Sequence, residues 1–254
     1  MTHLSPLNPR SSVNLRINSS ANDFQQAHTL LCIGHRGAAG HEPENTLRSV
    51  RRALEMGAGG IEIDVHCLEG ELIVIHDSRL NRTTNGSGLL RRHTLAQVRN
   101  LDAGKGQRIP LLREVLDTVD RKALVNIELK GLRTAAPVLT LLRDYVAHRG
   151  WSPSDFLISS FHRAELRQLR DSGFPIGILF ARSARLFRPL ARALGAWSIH
   201  VPLGRVTPGL VSRVHADGLK LFVFTVNDPT DMDRMQQMGV DGIFTDYPDR
   251  QKKC

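Results

Sequence analysis

Short apolar runs alternate along this chain with longer stretches in which apolar side chains return every three or four residues. The runs near 30–35, 60–66, 124–129, 156–160, 176–180, 197–201, 220–226 and 241–245 predict strands. The stretches near 45–57, 111–121, 134–149, 162–171, 183–194, 208–217 and 229–238 predict helices. Asn45 or Thr46 supplies a cap for the first helix, and Asp228-Pro229 places proline at an initial helical position. Gly57, Gly173, Gly195, Gly218 and Gly239 stand where helices should stop. Strands alternating with helices imply right-handed βαβ units and a parallel sheet. Eight such strands fit a closed (β/α)8 TIM barrel, with a doubly wound sheet as the other arrangement.

One segment breaks this rhythm. Glu71-Leu72-Ile73-Val74-Ile75-His76 follows the second strand after a turn at Glu69-Gly70 and reads as a hairpin or extension of it. Residues 78–109 are a polar, glycine-rich excursion, so a small insertion of about residues 70–109 is expected on the side where barrel active sites form. Residues 1–28 show no sustained period and lack the apolar stretch of a secretory signal, which predicts a disordered tail or an organelle transit peptide. A single domain is expected over residues 29–250.

Two predicted strands carry charge where a barrel interior should be apolar. Ile61-Glu62-Ile63-Asp64-Val65 and Ile127-Glu128-Leu129-Lys130 alternate aliphatic and ionised residues. Successive strand side chains face opposite ways, so Glu62 shares a face with Asp64, and Glu128 with Lys130. A buried carboxylate without a partner costs several kcal/mol, so three converging on one interior require a cation. Half-exposed antiparallel strands with a solvated face are the competing account.

Composition narrows the setting without naming a partner. The 254 residues include 41% hydrophobic and 23% charged side chains, enough for a packed core. No apolar run reaches the roughly 18 residues of a membrane span. Cys32, Cys67 and Cys254 are scattered and lack zinc-site spacing, which fits a reducing, cytoplasmic location. The net charge of +9 comes largely from dispersed arginines, and aromatic residues are only 5%. A solvated basic surface accounts for this better than nucleic-acid binding does, because few side chains could stack on bases.

Chemistry collects at the predicted C-terminal strand ends, where barrel enzymes build their sites. His35-Arg36-Gly37 ends the first strand, His76-Asp77 ends the hairpin, and Asn227 and Thr245-Asp246 follow the last two strands. Glu62, Asp64 and Glu128 suit a hard divalent cation, Mg²⁺ or Ca²⁺, with an ion-pair network to Lys130 and Arg36 as the structural alternative. His35 and His76 can exchange protons near neutral pH. A cation, two histidines, Arg36 and Lys130 together suit an anionic, oxygen-rich substrate such as a phosphodiester.

These residues carry a family resemblance. His35-Arg36-Gly37 followed by Pro43-Glu44-Asn45-Thr46, Glu62-x-Asp64, His76-Asp77 and Glu128-x-Lys130 resembles the glycerophosphodiester phosphodiesterase family. Phe224-Thr225-Val226-Asn227 and Gly242-Ile243-Phe244-Thr245-Asp246 resemble its last-strand signatures, so the likeness runs from about residue 31 to 248. It is strongest to the short cytosolic bacterial enzymes. The resemblance implies a TIM barrel that hydrolyses glycerophosphodiesters to an alcohol and sn-glycerol 3-phosphate. It implies Glu62, Asp64 and Glu128 as ligands of Mg²⁺ or Ca²⁺, His35 and His76 as the acid/base pair, and Arg36 and Lys130 as phosphate contacts. Glu44 and Asn45 are expected to brace the rim.

One departure is visible: Phe224 stands where the family often has Trp, keeping an apolar wall but losing the indole N–H. Two alternatives are carried alongside the expected small-molecule diesterase. One is a lysophospholipase D, which would need an apolar entrance for an acyl chain. The other is a non-catalytic protein that binds phosphoesters or nucleic acid. Leu89-Leu90, Leu95, Val98 and Leu101 of the insertion have the spacing needed for packing of their own.

Overall fold

The computed structural model describes residues 29–251 apart from 183 and 185. The tail expected over residues 1–28 lies outside the described residues. Nine strands form one sheet: β1 Leu31–Gly34, β2 Gly60–Leu68, β3 Glu71–Val74, β4 Leu124–Leu129, β5 Phe156–Ser160, β6 Ile176–Leu179, β7 Ser198–Pro202, β8 Lys220–Phe224 and β9 Gly242–Thr245. Eight of them are parallel in the order β1-β9-β8-β7-β6-β5-β4-β2, and pairing of β1 with β2 closes the ring. This is the (β/α)8 barrel, and a doubly wound sheet is excluded. β3 lies outside the ring, antiparallel to the overhanging end of β2, with Val65 opposite Val74 and Leu68 opposite Glu71.

The helices are α1 Leu47–Glu55, α2 Leu95–Arg99, α3 Leu112–Val119, α4 Ala135–His148, α5 Arg163–Leu169, α6 Phe187–Leu194, α7 Pro208–Ala216 and α8 Pro229–Gln237. Thr46, not Asn45, caps α1, in a reciprocal pair with Ser49. Asp228 caps α8, and Thr207 caps α7 ahead of Pro208. The five glycines expected to end helices all have positive φ, from 63° at Gly195 to 87° at Gly173. Helix α6 begins at Phe187 rather than near residue 183.

Strand alternation divides the side chains as expected. Ile61, Ile63 and Val65 point outward with Val125, Ile127 and Leu129, all fully buried beneath the helices. Each such burial is worth about 2 kcal/mol. Inside the barrel, Ile33, Leu124, Leu157, Phe222 and Phe244 fill the floor. The filling is tight, since a Cβ on Gly242 would stand 2.5 Å from the Phe222 ring. Above this floor the register sets Asp64 beside Glu128, and Glu128 beside Ser159, so the charged layer lies at the C-terminal mouth.

The insertion after β2 has a small core of its own, formed by Leu68, Ile73, Ile75, Leu80, Leu90, Val98, Ala103 and Ile109. Arg99 in α2 ties it to the barrel through a bidentate pair with Glu114 at the start of α3 (2.7 and 2.6 Å).

Candidate active site

The site begins where the chain leaves β1. Arg36 takes a left-handed conformation (φ 54°) and Gly37 follows at φ 83°. Only glycine fits there, because a Cβ would lie 2.5 Å from the backbone carbon of Ser49 in α1. This tight turn aims the Arg36 backbone N–H at Glu62 Oε2 (2.8 Å). Asn45, also left-handed at φ 58°, clasps Asp64: its Nδ2 donates to Asp64 Oδ2 (2.9 Å), and the Asp64 N–H donates to its Oδ1 (3.2 Å). Asn45 therefore braces a carboxylate, as expected.

Glu62, Asp64 and Glu128 converge as a buried cluster, with one oxygen from each lying within 4.8 Å of the others. Lys130 Nζ donates to Glu128 Oε1 (2.8 Å) and lies 3.7 Å from Asp64 Oδ1, while Arg36 Nε is 3.2 Å from Asp64 Oδ2. An ion-pair network therefore exists, but it leaves Glu62 without a cationic side chain and its Oε1 without any partner. Burial and the neighbouring Asp64 and Glu128 charges push the Glu62 carboxyl well above the usual carboxylate range. Burial and Asp64 also raise Glu128, against the pull of Lys130. The all-oxygen donor set, its surplus of negative charge and its orphaned oxygen fit a divalent cation.

Each candidate histidine is backed by a carboxylate. His35 Nδ1 donates to Asp246 Oδ1 (2.7 Å), and Asn227 Nδ2 donates to Asp246 Oδ2 (2.7 Å). His76 Nδ1 donates to Asp77 Oδ1 (2.5 Å). Both rings are thereby oriented through Nδ1, leaving Nε2 for chemistry. His76 Nε2 accepts from Lys130 Nζ (3.0 Å), an arrangement that requires neutral imidazole. Burial accordingly lowers the His76 pKa, with Arg36 and Lys130 adding to the effect. Burial disfavours the Lys130 charge, yet Glu128 and Asp64 hold the ammonium above its usual pKa.

Arg36 is held between carboxylates. Its Nη1 donates to Glu44 Oε1 (2.8 Å), and its side chain is 16% exposed. Glu44 also receives both terminal nitrogens of Arg82 (2.6 and 2.8 Å), and Arg82 Nε donates to Asp77 Oδ2 (2.6 Å). One chain of charges thus runs from His76 through Asp77, Arg82 and Glu44 to Arg36.

The sequence reading assigned no role to Arg82, although it lies in the polar excursion already expected at the mouth. Asp77, Asp246 and Asn227 were visible as rim residues, but the pairing of the two aspartates with the histidines, and of Asn227 with Asp246, needed the three-dimensional structure. His66 was missed entirely; it lines a cavity of about 370 Å³ with His76, Asp77, Ser78, Arg79 and Lys130. Across Lys130 stands Phe161, 5.8 Å from its ammonium and edge-to-face with Phe224.

This geometry agrees with what the chain is similar to. The sequence profile of the Glycerophosphoryl diester phosphodiesterase family matches residues 35–250. The chain belongs to that family. A glycerophosphodiester phosphodiesterase of Caldanaerobacter subterraneus subsp. tengcongensis is 38% identical over 237 residues, covering 86% of this chain and 95% of the relative. One from Bacillus subtilis is 33% identical, covering 87% and 84%. Among solved structures, an Oleispira antarctica phosphodiesterase in complex with the product sn-glycerol-3-phosphate superposes with a TM-score of 0.78 at 28% identity, covering 86% of this chain and 94% of that one. An Agrobacterium tumefaciens glycerophosphodiester phosphodiesterase gives 0.75 at 31% identity, covering 87% and 98%. The (β/α)8 barrel with its insertion after the second strand is thus that of a member of the glycerophosphodiester phosphodiesterase family.

Proposed function

We propose that this chain hydrolyses glycerophosphodiesters to an alcohol and sn-glycerol 3-phosphate, with His35 and His76 as its proton-transfer pair. The observation that carries this reading is the placement of two carboxylate-backed imidazoles around one buried three-carboxylate cluster and a lysine. Held by Glu62, Asp64 and Glu128, a divalent ion (Mg²⁺ or Ca²⁺) would act as a Lewis acid and neutralise charge on the phosphoryl oxygens.

His35, steadied by Asp246, takes the proton of the substrate's glycerol 2-hydroxyl at Nε2. That oxygen then attacks phosphorus, and the bond from phosphorus to the head-group oxygen breaks. Once Lys130 has left His76 Nε2 and that nitrogen has taken a proton from solvent, His76 delivers this proton to the departing oxygen, giving a free alcohol and a cyclic phosphate. The roles then reverse as water opens the ring to glycerol 3-phosphate. Lys130, which donates to His76 Nε2, turns its ammonium to the phosphoryl oxygens. Arg36 contributes less by direct contact than by holding Asp64 and Glu44 in place.

The partner is a small molecule rather than nucleic acid, and we place the enzyme in the cytoplasm. No helix among the described residues is long and apolar enough to cross a membrane. The apolar pair Phe161–Phe224 beside Lys130 favours lysophospholipids as a second substrate class. Turnover of glycerophosphocholine, glycerophosphoethanolamine and lysophosphatidylcholine, each with Mg²⁺, Ca²⁺ or excess EDTA, tests both readings. We expect metal-dependent release of glycerol 3-phosphate. Full activity in EDTA would overturn the metal assignment, and a tenfold kcat/KM preference for the lysolipid would overturn the substrate choice.

A further inference from the structure

Large exposed hydrophobic side chains are few among the described residues, and they are not scattered. Leu132 (67% exposed), Phe161 (39%) and Leu186 (76%) occupy three successive strand-to-helix connections, after β4, β5 and β6. All three connections belong to the mouth of the barrel. Leu132 is held out by its surroundings. The buried Glu165 carboxylate accepts the backbone N–H groups of Arg133, Thr134 and Ala135, each at 2.9 Å, and so fixes the loop that presents it.

Charge on the same arc is of one sign. The connections at 130–134, 161–162, 180–186 and 203–207 contain no Asp or Glu. Arg182, Arg205 and Arg213 line a cavity of about 640 Å³ between the β6 and β7 connections and α7, with Phe180, Val201 and Leu210 among its apolar walls. None of these three arginine side chains has an ion-pair or hydrogen-bond partner among the described residues, and neither does Arg133 or Arg163 beside Leu132 and Phe161. Some arginines elsewhere are paired, as in Arg48 with Glu42, Arg99 with Glu114 and Arg188 with Asp217. Others such as Arg51 and Arg192 are likewise solvated, so what sets this arc apart is the absence of acids and the company of protruding apolar side chains. The opposite arc of the mouth carries the acids Glu42, Glu44, Asp77 and Asp246.

Unpaired guanidinium groups interleaved with protruding Leu and Phe suit a surface that is anionic outside and apolar beneath. We propose that the β4-to-β7 arc of the mouth docks on an anionic lipid surface. Lipid phosphates would meet Arg182, Arg205 and Arg213 while Leu132, Phe161 and Leu186 enter the headgroup layer. An isolated surface arginine is ordinarily solvated and means nothing. Here five without partners, three of them around one apolar-walled cavity, share an edge with Leu132, Phe161 and Leu186, the large exposed apolar side chains among the described residues. The mouth would then face the bilayer, whatever substrate it takes.

The test is vesicle flotation of the full chain, using phosphatidylcholine vesicles with and without phosphatidylglycerol. Each arginine near an anionic leaflet is worth roughly fivefold in partitioning. We therefore expect tight binding only to the anionic vesicles, and at least about a tenfold loss for Arg182→Glu with Arg205→Glu. Leu132→Ser with Leu186→Ser should lose several-fold, and that loss should persist at high salt. A control pair away from the arc, Arg51→Glu with Arg192→Glu, lowers net charge equally and should bind like wild type. Circular dichroism and unchanged glycerophosphocholine turnover establish that each variant is folded.

Equal losses from the rim and control arginine pairs would overturn the proposal, as would wild-type binding that ignores lipid charge or is absent. So would arginine-dependent binding of inorganic phosphate, glycerol 3-phosphate or duplex DNA without vesicle binding, since the cavity would then serve a free phosphate or a nucleic acid.

Discussion

Replacing Asp246 by asparagine should do more harm than replacing it by alanine. Asn227 cannot turn its amide over, because its Oδ1 accepts both the Asp246 backbone N–H (2.9 Å) and the Thr245 hydroxyl (3.2 Å). Its Nδ2 must therefore keep donating toward position 246. In Asp246→Asn the new carbonyl oxygen stays with Asn227, and the new NH₂ group turns toward His35 Nδ1. That nitrogen must then accept, which moves the ring proton to Nε2, the atom proposed to remove the substrate proton. General-base catalysis is worth about 10²–10⁴ in rate, so kcat should fall by that factor, roughly 3–5 kcal/mol of activation free energy, with little change in KM. In Asp246→Ala no donor opposes Nδ1, the productive tautomer stays accessible, and the loss should be smaller. Release of glycerol 3-phosphate from glycerophosphocholine, followed with a coupled assay, gives both constants. An asparagine variant within tenfold of wild type, or an alanine variant slower than the asparagine one, would refute the argument.

Glu62→Gln keeps the side-chain volume but removes the charge that no protein cation meets, so calorimetric affinity for Mg²⁺ or Ca²⁺ should drop about a hundredfold; unchanged affinity would remove Glu62 from the ligand set. Arg82→Met breaks the link between Glu44 and Asp77, and because Arg82 is 46% exposed the expected destabilisation is only about 1–2 kcal/mol. The larger effect should be on kcat, by about tenfold, since His76 loses a fixed partner; equal kcat in both proteins would deny Arg82 a positioning role. His200 is fully buried among Phe222 and Phe244, with Nε2 on Ser198 Oγ, and burial drives its pKa down to about 3 from the ordinary value of 6.5. A base whose folded pKa is depressed stabilises nothing by protonation, so stability is intact above pH 6.5 and erodes as pH falls toward 3. At pH 4.5 the cost is two units, about 3 kcal/mol. Urea unfolding should show His200→Leu losing that much less than wild type between pH 7 and pH 4.5, and parallel losses would contradict the assigned burial.

The barrel was legible because period and punctuation agreed: β4 and β5 fall on the expected residues, and the stop glycines behave as such. Charge inside alternating strands pointed to Glu62, Asp64 and Glu128 because a closed parallel barrel offers no solvated strand face. Pairings across the mouth were not legible. Asp246 is 211 residues from His35, and Arg82 is 38 from Glu44, so no local pattern could join them. The cap of α1 stayed open between Asn45 and Thr46, because both are good caps and only the structure shows Asn45 engaged with Asp64. Arg36 was legible as a cation at the rim, but its ion pairs were not, because its carboxylate partners Glu44 and Asp64 lie on two separate segments.

Arg82 has a consequence for anyone who treats the insertion as an exchangeable cassette. The segment has its own small core, which invites transplanting it between relatives to change substrate preference. Yet its arginine completes a relay that begins on the α1-side loop and ends at the His76 imidazole. A chimaera that imports a different insertion without a cation at this place would leave Glu44 with Arg36 alone and Asp77 with His76 alone, no longer joined to each other. The seam for recombination therefore runs through Glu44 rather than at the ends of the insertion, and the two pieces must be moved together.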